Sequence, residues 1–277
     1  MRKSIWLFLS LLTLLSCKDE PIPGYLIIDK IDLTVQQGQG TASHAIVDAW
    51  VYVNSDLQGV YELPATIPVL DVGEAYVQVR GGIKVSGLSA TRAFYPFFNF
   101  YSDTLVFTPN GDVVMEPVVG YFPGTAFAWM DNFDDPGLTM ETTARSDTNL
   151  QRIISGDVFE GAGSAAFYLD TANWFFECQT IDNFVLPIGG QSVFLEMNYR
   201  CNNTFVVGII GYTGGEVVQM ESLILRPREE WNKIYVNLAT QVSSLPNAFD
   251  YKIFIGATLD ATNDSAWVYL DNLKLVY

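Results

Sequence analysis

Few side chains here could carry a reaction. The chain has one histidine, His44, and three cysteines, Cys17, Cys178 and Cys201, against 31 aspartates and glutamates. A Ser-His-Asp system needs a histidine placed between a nucleophile and a carboxylate. No Gly-x-Ser-x-Gly turn exists to present a nucleophile to His44. A single histidine also excludes a histidine-rich zinc or iron site. No glycine-rich loop follows a strand and opens a helix, so the phosphate-cradling motifs are absent. Glycoside hydrolysis needs only two carboxylates, and this many acidic residues leave that chemistry open. The expectation is a protein that binds and does not catalyse.

Cys17 is different, because its surroundings give it a defined chemistry. Arg2 and Lys3 precede an apolar run from Ile5 to Leu15, broken by Ser10 and Thr13, and Ser16 stands just before the cysteine. That is the layout of a secretory signal, and the run is shorter than the roughly 20 residues a membrane span requires. Leu14-Leu15-Ser16-Cys17 resembles a bacterial lipobox, which implies that Cys17 is acylated and becomes the new N-terminus. Lys18-Asp19-Glu20 resembles the short charged tag that sends lipoproteins of the Bacteroidota to the cell surface. Asp103-Thr104-Leu105, Asp170-Thr171-Ala172 and Asp264-Ser265-Ala266 resemble the O-glycosylation tripeptides of the same group. These resemblances imply a lipid-anchored protein of the outer membrane, exposed at the surface.

Without residues 1–16, 13 basic residues face 31 acidic ones, a net charge of 13 − 31 = −18. Such a surface repels nucleic acid and anionic headgroups, and a polyanion-binding role is set aside. Apolar and aromatic residues are plentiful, so the chain can bury a core.

Cys178 and Cys201 lie eleven residues either side of the turn-like pair Gly189-Gly190. If that pair centres a hairpin, the two cysteines oppose each other and could form a disulfide in an oxidising compartment. If Asp182-Asn183 breaks the first strand, that register is lost and both remain separate buried thiols.

The positioning elements are strands. After the linker at 17–24, one β unit is expected over 25–124. It has strands near Tyr25–Val35, Ala45–Val53, Gly59–Leu63, Glu74–Arg80, Tyr101–Thr108 and Val113–Val119. Gly81-Gly82 reads as a turn, Pro109-Asn110-Gly111-Asp112 as a hairpin, and Pro64 and Pro68 mark a loop or edge strand. Trp50 to Asn54 with Gly59 to Pro64 resembles the hairpin of small Ig-like or transthyretin-like modules, which implies a β-sandwich. Phe94 to Tyr101 is the densest aromatic run, either plugging the core or forming a docking patch. A second unit over 125–277 shows eight or nine strands and no helical period. In it Val193, Leu195, Met197, Tyr199 and Cys201 share one face, and Glu196, Asn198 and Arg200 the other.

Asp131-Asn132-Phe133-Asp134, Gly156 to Ala165, Trp231 to Val236 and Val268 to Leu273 occur in the order found in galactose-binding-like jelly rolls, a superfamily with many carbohydrate-binding modules. The resemblance implies an all-β chain, an Ig-like or transthyretin-like sandwich followed by a jelly roll. It also implies a structural calcium held by Asp131, Glu160 and Asp271, whose oxygens suit that ion; otherwise Asp271 caps a strand end and Glu160 is solvated. A glycan platform would draw on Trp174, Phe175 and Phe176, read as a loop, and on Trp267. The expected function is a non-catalytic, lipid-anchored adaptor or accessory subunit of an envelope assembly, with an envelope protein as partner. The alternative is a glycan-binding surface lipoprotein of a polysaccharide-uptake system.

Overall fold

The computed structural model describes residues 21–277. The expected leader and Cys17 lie outside the described residues.

Alternation of buried and exposed residues sets most strands. In the first unit β1 (Gly24–Ile28) lies between β5 (Ala65–Val69) and β9 (Asp112–Val114), with the short pair β2 (Asp32–Leu33) and β10 (Val118–Val119) beside them. The facing sheet runs β4 (Asp56–Glu62), β3 (Asp48–Val53), β6 (Gly73–Lys84). Both β7 (Arg92–Phe94) and β8 (Phe100–Phe107) pair with β6. Leu26, Ile67, Val51, Val77 and Phe107 meet between the sheets, fully buried. Pro68 sits on the edge strand β5, where the missing donor is harmless.

Two turn expectations are corrected. Gly81-Gly82 does not turn the chain; β6 runs straight through it. A Cβ on Gly82 would lie 2.8 Å from Asp48 Cβ and 3.0 Å from Trp50 Nε1, so glycine is needed there for close side-chain packing. The turn at Asn110-Gly111 forms, with Asn110 at φ 57°, but it joins no hairpin. It passes the chain from β8 in one sheet to β9, which pairs parallel to β1 in the other.

The second unit is a two-sheet jelly roll, and the described residues are all-β apart from one six-residue helix. One sheet runs β13 (Gln151–Ile153), β14 (Ser164–Asp170), β21 (Ser265–Val276), β16 (Phe194–Cys201), β19 (Arg228–Asn237). There β11 (Phe127–Asp131) also pairs with β21. The other runs β12 (Met140–Thr142), β15 (Phe175–Thr180), β20 (Asp250–Thr258), β17 (Phe205–Tyr212), β18 (Val217–Leu225). The unforeseen helix α1 (Ala239–Ser244) seats Val242 in the core, and Tyr251 Oη donates to the Val242 and Leu245 carbonyls behind it. No helix among the described residues is long and apolar enough to cross a membrane.

The outward face of β16 is not solvated; the first unit covers it. Glu196 is fully buried there, flanked across the strands by Lys274 and Tyr235. Its Oε1 accepts from Tyr95 Oη and Tyr121 Oη, both at 2.8 Å and both from the first unit. Lys233 Nζ lies 3.1 Å from its Oε2, an ion pair without hydrogen-bond alignment. Burial, then the Glu196 charge, hold both tyrosines far above the usual phenol range, so they remain neutral donors. Around this centre Ser43 Oγ donates to Asn198 Oδ1 at 2.8 Å, and Lys274 Nζ to the Thr41 carbonyl at 2.6 Å. Burial pulls the Lys274 ammonium down to about 8.

The aromatic run at 94–101 belongs to the same interface. Tyr95, Phe97 and Phe98 are buried, and the Tyr95 ring meets Phe194 at 5.3 Å and Tyr235 at 4.8 Å. Tyr95, Phe97 and Phe98 therefore form no exposed docking patch; Tyr95 and Phe97 pack on Phe194 of the chain's own second unit, and of the run's rings Phe100 stays exposed. Glu196→Ala would leave Lys233 buried without a counter-charge. It should reduce the unfolding free energy by about 3–5 kcal/mol in urea titration, whereas Glu230→Ala, exposed on β19, should stay within about 0.5 kcal/mol.

Candidate functional site

A groove of about 490 Å³ lies on the outer face of the five-stranded sheet. That volume falls in the range of small-ligand sites. Strand register puts Glu177, Gly256 and Val206 in one row across its floor. Gly256 keeps the floor low, since a Cβ there would meet nothing closer than 3.5 Å. A register shift between Val207 and Gly208 bends the sheet's far side. Gln219 on edge strand β18 reaches Glu177 on β15, three strands away.

Glu177 anchors the groove's polar chemistry. It alternates with the core residues Phe176 and Cys178, so β15 turns it outward, yet it is only 4% exposed. Arg145 grips both carboxylate oxygens. Thr143 Oγ1 donates to Oε1 at 2.9 Å and Gln219 Nε2 to Oε2 at 3.0 Å. Burial pushes this carboxyl up, but the bonds from Arg145, Gln219 and Thr143 outweigh it and hold it below the usual glutamate range. Arg145 also donates to Gln219 Oε1 at 3.0 Å, closing a polar strap across the groove. Phe175 flanks it, and Thr204, Thr258 and Asp260 line one end.

The expected platform residues divide. Phe175 lines the groove, and Trp174, 54% exposed, stands 6.0 Å from its ring. Phe176 does not belong to a platform; it is fully buried, stacked 3.8 Å from Phe167 in the core. Trp267 lies on the opposite sheet beside Tyr269, with the Arg200 guanidinium 5.1 Å from its ring. Arg145, Glu177 and Gln219 were not foreseen. The signal was the alternation Phe175-Phe176-Glu177-Cys178, hidden once that stretch was read as a loop.

Cys178 and Cys201 do not pair. Both are free and buried, Cys178 on β15 of one sheet and Cys201 on β16 of the other. The chain between them crosses from sheet to sheet and makes no hairpin. Burial pushes both thiols up, Cys201 to about 11.

Asp131, Glu160 and Asp271 do not converge on one point. Among the described residues no three His, Cys, Asp or Glu side chains are placed to share a metal ion. Asp131 accepts from Phe133 N and from Thr139, Asp271 from Ser164 Oγ and Asn272 N, and Glu160 from Asn272 Nδ2. Burial raises Asp271 to about 6. The entry loop and the glycine-rich loop are instead joined by Arg152, which donates to the carbonyls of Phe133, Asp134 and Ala162. His44 has its two ring nitrogens beside the carbonyls of Ala42 and Ile31.

No family model matches the chain, and no curated protein matches it. Among solved structures it is similar to the C-terminal family 22 carbohydrate-binding module of Clostridium thermocellum Xyn10B. That likeness has 14% identity and TM-score 0.40, over 54% of this chain and 91% of that one. It is similar to carbohydrate-binding modules of the β-sandwich superfamily at 13% identity and TM-score 0.39, over 87% of each chain. A family 28 module specific for non-crystalline cellulose matches at 9% identity and TM-score 0.34, over 50% of this chain and 86% of that one. What the site does is read from its own geometry.

Arg145→Ala leaves the Glu177 carboxylate without its cation. Because Arg145 is largely exposed, the loss should be about 1–2 kcal/mol at pH 7. A carboxyl held below its unfolded value adds stability above the usual glutamate pKa and loses it as pH falls through the folded value. The gap between wild type and variant, measured by thermal melts from pH 7 to pH 3, should therefore close toward pH 3.

Proposed function

We propose that this chain is a non-catalytic glycan-binding protein whose ligand lies along the groove on the five-stranded sheet. The observation that carries this is the groove's composition. An aromatic ring at Phe175 flanks a floor kept open by Gly256, and guanidinium, amide, carboxylate and hydroxyl groups converge on it. Sugars present apolar ring faces and a fringe of hydroxyls, and they are recognised by that mixture. Binding, as against hydrolysis, is supported by the state of Glu177. Both its oxygens are occupied and it stays ionised, which suits neither a general acid nor a free nucleophile.

The test is a glycan array followed by calorimetry on the full chain. At least one oligosaccharide should bind, Phe175→Ala should weaken it about tenfold, and the melting temperature should hold. Silence across the array would overturn the reading.

Anchoring at the outer membrane through acylated Cys17 is part of the same proposal, supported by Leu14-Leu15-Ser16-Cys17. One acyl chain binds membranes weakly and reversibly, and two or more hold stably. Cys17→Ser should move the protein from the membrane to the soluble fraction on cell fractionation.

A further inference from the structure

A second cleft, of about 400 Å³, lies where the two units meet. One wall is the tip of the β6–β7 hairpin, with Lys84 and Ser86 to Ser89; the other is the β18–β19 hairpin, with Arg226 and Arg228. Lys233 lies between them. The hairpin tip is fixed in place, since Ser86 N donates to the Tyr235 carbonyl at 2.8 Å and Ser86 Oγ accepts from Asn237 N at 3.3 Å.

The charge here runs against the rest of the molecule. Four cationic side chains line the cleft and no carboxylate does, in a protein with 31 acidic residues and 15 basic ones. Among the described residues the other cations are accounted for. Lys30, Arg92, Arg145, Arg200 and Lys252 pair with carboxylates, Arg152 and Lys274 bond backbone carbonyls, and Arg80 stacks 4.0 Å from the Phe94 ring. Among the described residues, Lys84, Arg226 and Arg228 have no carboxylate within 4 Å, whereas the fourth, Lys233, has its counter-charge in the buried Glu196 at 3.1 Å. Like charges gathered in one cleft repel, and that arrangement is relieved by an anion. Glu229 and Glu230 follow Arg228 on β19 but do not line the cleft, and more distant acidic groups are screened over about 8 Å at physiological ionic strength.

The cleft also adjoins the proposed glycan groove. Ile224 on edge strand β18, 59% exposed, lines both. Resting on the glycan reading above, we propose that the ligand is an acidic polysaccharide. It would run along the groove, cross β18 at Ile224 and place an oxyanion substituent, a uronate carboxylate or a sulfate ester, between Lys84, Arg226 and Arg228. The expectation from net charge that polyanions are repelled averages over a surface that is not uniform.

Two matched polymer pairs test this on the full chain: polygalacturonate against its fully methyl-esterified form, and dextran sulfate against dextran. The charged member of at least one pair should bind about tenfold more tightly or better. Which pair responds tells carboxylate from sulfate. That advantage should disappear in the triple variant Lys84→Gln/Arg226→Gln/Arg228→Gln and at 1 M salt. All three residues are exposed or half-buried, so the variant should keep its melting temperature and its affinity for neutral glycans. Equal binding within both pairs overturns this inference and leaves the glycan reading standing. Poly-L-glutamate competing as well as the charged polymer would show that charge alone is read, and overturns the acidic-glycan assignment. No binding to any glycan, charged or neutral, overturns both.

Discussion

A carboxylate taken out of water loses several kcal/mol of hydration unless donors replace it, and Glu196 lies wholly inside this molecule. Its two phenol donors and its counter-charge come from different halves of the chain. Tyr95 and Tyr121 reach it from the first unit, and Lys233 from the strand beside it. Neither half can satisfy it alone. Separation of the units would expose Phe194, Tyr235 and Val276, which pack into the first unit's core, and would strip Glu196 of both phenols. The interface thus behaves as an interior and not as a flexible seam. The relative position of everything on the two units follows from it.

That constraint explains a feature of β16 that alternation alone misreads. Val193, Leu195, Met197, Tyr199 and Cys201 were expected on one face and are all buried in the sandwich core. The opposite face, Glu196 and Asn198, looks solvent-directed by residue type. It is buried as well, because another layer covers it. Strand periodicity tells which residues share a face; it says nothing about what lies against that face. The same limit applies to Phe94–Tyr101, whose rings were visible as apolar surface needing a partner. That the partner is the chain's own second unit depends on contacts far apart in sequence.

Most second-unit strands were legible because β-branched and aromatic residues alternate in runs bounded by turn residues. Two were not, the three-residue β12 and the longer β15, and β15 accounts for much of what was missed at the site. Phe175 to Thr180 begins with adjacent aromatics after Trp174, which masks its period of two. Once it is a strand, Phe176 and Cys178 must enter the core while Phe175 and Glu177 face out. That single assignment removes Phe176 from the platform, separates Cys178 from Cys201 and brings Glu177 to the groove. Gly81-Gly82 misled for a related reason. A glycine pair signals either freedom to turn or lack of space, and only the packing of Asp48 and Trp50 decides which.

The buried carboxylate and the surface sites are connected through β19 and its neighbours. Tyr235 and Lys233 belong to the Glu196 cluster, and the same strand carries Arg228 and receives the β6–β7 hairpin at Tyr235. Fixing the first unit on Glu196 therefore fixes Lys84 opposite Arg226 and Arg228. The cleft between the units has walls from both and would not exist on either alone. It meets the groove at Ile224 because β18 is the last strand of the five-stranded sheet and leads directly into β19 of the other. The first unit supplies one wall of the cleft, held in register by a charge that only the assembled pair can bury.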